Sequence, residues 1–266
     1  MSRIAERFKS LKSEGKKGFV VYISAGDPNL QATFDLALAF DSMGVDVLEL
    51  GVPFSDPLAD GLVNQLAAQR GLESGTTPRK VLQTVRQIRE RSSIPIVLYI
   101  YFNLIFKQGL ESFIKEAAEA GVDGLLVLDL PPEESENYEL LMKAHGMNNI
   151  YLIAPTTPEE RMAYIVKRGT GFIYYVSREG VTGMQQQVAG NIHGMVQKIR
   201  SCTQLPIAVG FGISNPDQAR AVADVADGIV VGSAIVNQIA EHGKKSDLVQ
   251  RVQEFTRPLI NAVKSR

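Results

Sequence analysis

Two rhythms of apolar and polar positions alternate along this chain. The first is a set of short runs rich in Val, Ile, Leu, Phe and Tyr. They are FVVYIS (19–24), VDVLEL (45–50), PIVLYIY (95–101), GLLVLDL (124–130), IYLIAP (150–155), GFIYYVS (171–177), PIAVGF (206–211) and GIVVGS (228–233). Between them lie stretches such as QATFDLALAFDSMG, GLESFIKEAAEAG and SNPDQARAVADVA, where apolar residues recur every three or four positions. The first rhythm predicts strands and the second amphipathic helices. The strand runs are continuously apolar, so both of their faces must be buried, as in a parallel sheet covered by helices. Eight strands, each followed by a helix, predict an α/β fold of the closed (β/α)8 type, a TIM barrel, rather than an open doubly wound sheet.

Punctuation agrees with the count. Gly44 and Gly121 follow helical runs, and Asn215-Pro216 opens one with Pro at an early turn. No linker rich in Gly, Ser or Pro divides the chain, so residues 1–266 read as a single barrel domain. Extra helices are expected near 2–14, after the eighth strand (234–241) and near 246–264.

Composition narrows the class without naming a chemistry. The chain has 266 residues, 45% of them hydrophobic and 21% charged, with a formal net charge of −1. No basic stripe suggests a nucleic-acid partner. Lys9, Lys12, Lys16 and Lys17 read as a solvated helix face. One cysteine, Cys202, excludes an internal disulfide framework and suits a reducing compartment. No run approaches the roughly 18 apolar residues of a membrane span, and the charged N-terminus lacks a signal peptide's apolar core. The expected location is cytoplasmic, or plastid for a plant or algal protein.

In such a barrel the chemistry sits where the strands end. The seventh and eighth runs end on Gly210-Phe211-Gly212 and Gly232-Ser233. Small residues there let backbone N–H groups approach an anion, and a short helix after Ser233 would aim its N-terminus at the same point. Gly in tight βα turns is the competing explanation. The pattern on both strands favours a phosphorylated small molecule.

Glu49 ends the second run. A carboxylate in an apolar strand must be paired, or take up a proton with a raised pKa. The second case produces groups able to do acid–base work near neutrality. Both faces of a barrel strand are buried, so spacing leaves a structural salt bridge and a catalytic role equally open. Asp60, in the turn-rich SDPLADG, could be a helix cap. Asp129 could be structural, and Tyr175 could donate a hydrogen bond or simply pack. His145, His193 and His242 fall away from strand ends, which argues against histidine catalysis and a histidine metal site.

ELGVPFSDPLADG resembles the signature of the tryptophan synthase alpha subunit family. The likeness continues in order through SAGDP (24–28), AGVDGLLVLDLPPEE (120–134), APTTPEER (154–161), GFIYYVSREGVTG (171–183), VGFGIS (209–214) and DGIVVGSAIV (227–236). The resemblance implies a lyase that cleaves indole-3-glycerol phosphate to indole and glyceraldehyde 3-phosphate, a retro-aldol step in tryptophan biosynthesis. It implies Glu49 as the acid–base group for indole C3 and the glycerol hydroxyl. It implies Asp60 as the partner of the indole N–H, and Tyr175 as the active-site tyrosine. Gly183, Phe211, Gly212, Gly232 and Ser233 fall at its phosphate positions. Tyr22, Ile100 and Leu126 or Val127 fall at its indole pocket, and Thr182 lies in a lid that orders Asp60.

The same resemblance implies no cofactor in this chain. It implies a beta subunit that uses pyridoxal phosphate, joined in an α2β2 heterotetramer. Three departures touch the regions expected to meet that partner or lie close by. Leu62 stands where the family usually has proline (ADGLVNQ for ADGPVIQ), and so does Leu104 (YFNL for YYNP). SAGDP replaces the commoner TAGDP. None removes a catalytic group. A free-standing lyase, or a weakly active chain that mainly activates a beta subunit, are the alternatives.

Overall fold

The computed structural model describes residues 2–177, 185–210 and 212–265. Nine strands are present among these residues: β1 (Gly18–Ser24), β2 (Val47–Gly51), β3 (Ile96–Ile100), β4 (Gly124–Val127), β5 (Asn148–Asn149), β6 (Tyr151–Ile153), β7 (Ile173–Val176), β8 (Ile207–Gly210) and β9 (Gly228–Val231). All pair in parallel, in the order β5-β4-β3-β2-β1-β9-β8-β7-β6. Eight strands were expected, and the ninth comes from a break in the fifth. β5 pairs with β4, the Ile150 N–H donates to the Leu125 carbonyl at 3.0 Å, and from Tyr151 onward the chain pairs with β7. The fifth strand is therefore handed from one neighbour to the other within a residue, and there the barrel closes.

Helices cover the outside. They include α1 (Arg3–Ser13), α2 (Leu30–Ser42), α3 (Leu62–Glu73), α4 (Pro78–Arg89), α5 (Phe102–Gln108), α6 (Leu110–Ala120), α7 (Glu136–Ala144), α8 (Glu159–Arg168), α9 (Gln185–Cys202), α10 (Pro216–Val225), α11 (Ser233–His242) and α12 (Leu248–Lys264). The predicted extra helices correspond to α1, α11 and α12. Side chains of Ser2, Asn29, Thr77 and Asn215 accept N–H groups from the first turns of α1, α2, α4 and α10, satisfying donors that a helix start leaves without partners. Gly121 ends α6 at φ 91°, a left-handed conformation that favours glycine.

Two apolar layers follow from strand alternation. Leu48, Leu50, Leu98, Ile173 and Val209 point outward into the large core shared with the helices. Val20, Val47, Val97, Leu126, Ala208 and Val230 point into the barrel, where Ile4, Phe8 and Leu11 of α1 plug the lower end.

Polar staples reinforce that end. Asp46, Asp123 and Asp227 each precede a strand and grip the start of a neighbouring one. Their backbone N–H groups donate to the carbonyls of Phe19, Ile96 and Ile207, and their carboxylates accept the N–H groups of the same three residues. Cations complete each staple. Arg7 and Lys264 reach Asp46, Arg3 and Arg89 reach Asp123, and Arg200 reaches Asp227. Each of these three carboxylates, two of them buried, thus has a cation and an amide.

Candidate active site

The upper end of the barrel opens into a cleft of about 1000 Å³ at the carboxyl ends of the strands. Its floor is polar where the lower barrel is apolar. Inward positions carry Tyr22 on β1, Glu49 on β2, Tyr99 on β3 and Tyr174 on β7. Tyr22 lies opposite Glu49 in the ladder, and Glu49 lies opposite Val97.

These rings fit because glycines stand beside them. A Cβ on Gly51 would lie 2.6 Å from the Tyr22 hydroxyl, and one on Gly210 would lie 2.6 Å from the Tyr174 hydroxyl. Such approaches leave no room for a side chain at either position.

Glu49 is 3% exposed, and no cation or hydrogen-bond donor pairs with its carboxyl among the described residues. Burial first, and the nearby Asp60 charge second, push its pKa up to about 8. At neutral pH Glu49 is therefore mostly a carboxylic acid. The same surroundings raise the Tyr22 and Tyr174 phenols well above the usual range, mainly by burial.

Asp60 arrives from the irregular segment between β2 and α3. Two tyrosines from β3 and its end hold it: the Tyr99 hydroxyl donates to Oδ1 at 2.7 Å, and the Tyr101 hydroxyl to Oδ2 at 2.8 Å. Tyr101 also accepts the Ala59 N–H at 3.0 Å, so it grips the loop backbone as well. Tyr99 packs edge-on against Tyr22, with ring centroids 5.0 Å apart.

On the far side, Gly212 (φ 71°), Gly232 and Ser233 line the cleft, and α11 begins at Ser233. The Ile235 and Val236 N–H groups return to the Gly232 carbonyl. Those of Ser233 and Ala234 have no partner within the helix, the arrangement that receives an anion at a helix start. A Cβ on Gly232 would meet Tyr22 at 3.3 Å.

Three expected positions face the wrong way. Tyr175 is 2% exposed and belongs to the outer core, and Tyr174 takes the inward position instead. Ile100 is fully buried in the same outer core, and Tyr99 faces the cleft. Of the pair Leu126 or Val127, Val127 packs against the outer core, whereas Leu126, like Leu128, points inward. Each miss is a slip of one residue, which in a strand moves a side chain to the opposite face. Tyr22, Glu49, Asp60, Gly212, Gly232 and Ser233 do line the cleft. Thr182, Gly183 and Phe211 lie outside the described residues.

Other motif residues turn out to brace the frame. Asp129 accepts the Phe102 N–H at the start of α5, at 2.6 Å. In SAGDP, a Cβ on Gly26 (φ 79°) would strike the Thr76 Oγ1 at 1.9 Å, and buried Asp27 receives a two-pronged contact from Arg70 of α3, both at 2.8 Å.

A family model described as the tryptophan synthase alpha chain matches residues 8–264. The chain belongs to that family. The tryptophan synthase alpha chain of Opitutus terrae is 57% identical over 242 residues, 91% of each chain. The crystal structure of tryptophan synthase subunit alpha from Legionella pneumophila str. Paris superposes with a TM-score of 0.91 at 38% identity, over 99% of this chain and 98% of that one. A chain of tryptophan synthase from M. tuberculosis, in an aminoacrylate-bound form, gives a TM-score of 0.89 at 28% identity, over 99% of this chain and 100% of that one.

The family's reaction is the cleavage of indole-3-glycerol phosphate, so this chain is a carbon–carbon lyase of tryptophan biosynthesis. The family works with a beta subunit. Among the described residues no helix is long and apolar enough to cross a membrane.

Proposed function

We propose that Glu49 and Asp60 carry the cleavage, with the substrate phosphate held at Gly212, Gly232 and the start of α11. The observation that carries this reading is the buried, unpaired Glu49 carboxyl beside Asp60. As an acid, Glu49 gives its proton to C3 of the indole ring. The positive charge that results is shared with the ring nitrogen, whose N–H faces the Asp60 carboxylate. The protonated ring is then an electron sink. As the bond from C3 to the glycerol chain breaks, its electron pair restores the aromatic ring. The glycerol hydroxyl on that carbon returns a proton to Glu49 and becomes the aldehyde. Atoms and charge balance, and Glu49 ends as it began.

The ring supplies its own sink, so the step asks for no cofactor from this chain. Pyridoxal phosphate belongs to the beta partner. Tyr174, not Tyr175, is the tyrosine positioned to touch substrate. The assay is indole release: Glu49→Gln in a folded variant should abolish nearly all turnover, and retention of most of it would remove Glu49 from the reaction.

The chain acts as the alpha subunit of an α2β2 complex. Support comes from exposed apolar side chains on α3 and the loop before it, beside the cleft: Leu58 is 83% exposed, Leu62 70% and Leu66 45%. Large apolar side chains grouped in this way mark interaction sites. Leu62 adds to that group, whereas Leu104 is turned partly into the core. Sedimentation with a tryptophan synthase beta subunit tests the assembly. A mixture that sediments as separate chains, with indole release unchanged, would favour a free-standing lyase.

A further inference from the structure

We infer that Tyr99 is a positioning residue of the lyase reaction, its hydroxyl fixing the plane and reach of the Asp60 carboxylate toward the indole nitrogen. This rests on the role proposed above for Asp60.

Asp60 has little else to hold its side chain. It is half-buried on an irregular loop whose Leu58 is 83% exposed, and its backbone makes only local contacts: its N–H donates to the Pro57 carbonyl at 3.0 Å, and its carbonyl accepts from the Gln65 side chain at 2.8 Å. A carboxylate so placed would sample many rotamers. Two phenols prevent this, one on each oxygen, at 2.7 and 2.8 Å. An ionised carboxylate has about four lone-pair sites, so two remain for a ring N–H.

The two phenols are not equivalent. Tyr101 accepts the Ala59 N–H as well as donating to Asp60, so it ties down the loop itself. Among the described residues the Tyr99 hydroxyl makes a single hydrogen bond, to the carboxylate at Oδ1. Its ring is set independently by the barrel wall: it packs edge-on to Tyr22 at 67° and lies opposite Gly51 in the ladder. Burial raises both phenols first, followed by the Asp60 charge for Tyr99 and the hydrogen bond to Asp60 for Tyr101, so each stays a donor throughout the working pH range. Tyr99 is therefore a rigid donor on a rigid strand, aimed at one oxygen of a group on a loop. Fixing a charged group before reaction, at the point where opposite charge develops, lowers the barrier without reorganisation in the transition state.

The test uses the full chain. In Tyr99→Phe, kcat for indole release should fall about 10-fold, the scale of one hydrogen bond to a charged group. The Kd for a non-cleavable indole-3-alkyl phosphate should stay within about twofold, because the ring and the phosphate site are unchanged. Tyr101→Phe should instead worsen both quantities, since it also frees the Ala59 N–H. Tyr99→Leu guards against a packing effect. A kcat loss shared by Phe and Leu follows the hydroxyl, and one confined to Leu follows the ring and overturns the inference. A Tyr99→Phe kcat within twofold of the parent, or a Kd that rises as much as kcat falls, also overturns it. Asp60→Asn separates this from the underlying reading. If Asp60→Asn keeps turnover, the role of Asp60 is wrong. If it loses turnover while Tyr99→Phe keeps it, only the positioning role is lost.

Discussion

The two ends of the barrel treat buried acids in opposite ways. At the lower end Asp46, wholly buried, receives Arg7, Lys264 and the Phe19 N–H, and Asp123 receives Arg3, Arg89 and the Ile96 N–H. At the upper end Glu49 is similarly buried and has none of these among the described residues. Burial is thus common to both ends, and pairing separates them. A paired acid fastens strands together. An unpaired one takes up a proton and holds it at neutral pH, which is what an acid catalyst requires. Lys264 records the strain on the paired side: burial draws its ammonium below the ordinary range although Asp46 pulls the other way.

Replacing the acid at each end is the sharpest way to break this contrast. Glu49→Gln should lower kcat by about 10²–10⁴-fold, the usual contribution of a general acid–base group, with the fold intact by circular dichroism. Asp46→Ala should do the reverse. Removing one partner of a buried pair costs about 3–5 kcal/mol in urea unfolding, while the folded fraction should keep its kcat. A stable Asp46→Ala with reduced kcat would mean the ends are not separable.

The pH dependence sharpens it further. The Glu49 pKa is raised from 4.5 to about 8 in the folded chain. The folded state then holds a proton that the unfolded chain has lost, so this group's contribution to stability declines as pH rises from about 4.5 to about 8. Full development of that shift amounts to on the order of 5 kcal/mol. Unfolding measured at several pH values should show this slope in the parent and not in Glu49→Gln. Activity should decline above about pH 8, as the acid form is lost.

The smallest expected effect concerns the two adjacent tyrosines. Tyr174→Phe should lower kcat severalfold with little change in unfolding midpoint, and Tyr175→Phe should leave kcat within about twofold. The opposite order would return the active-site role to Tyr175.

That pair also shows where the sequence stopped being legible. The strand count, the helix starts at Asn29 and Asn215, and the Glu49–Asp60 pair could all be read from patterns and motifs. Which face each strand residue takes could not. IYYV and IVLYI are apolar on both faces, because helices cover the outside and side chains fill the inside, so alternation carries no polarity signal. Tyr175 and Ile100 are each one position away from the residue that faces the cleft, and of Leu126 or Val127 only Leu126 points inward. Glu49 supplies the missing phase: counting outward from it through the ladder puts Tyr22 and Val97 on its face, and hence Tyr99. The break in the fifth strand left no mark in IYLIAP, since it depends on which neighbour each peptide meets. The Asp staples did leave one. An Asp directly before strands in GVDVLEL, GVDGLLV and VADGIVV is a repeated spacing that sequence reading passed over.

The Asp46 staple has a topological consequence. Arg7 belongs to the first helix and Lys264 to the last turn of the last one, and both end on a single carboxylate. Residues nearly the whole chain apart are held within two side chains of each other. A circularly permuted version, with a short linker joining residues 266 and 1 and new ends opened at the exposed turn around His145 and Gly146, would keep the strand order and leave the catalytic mouth untouched.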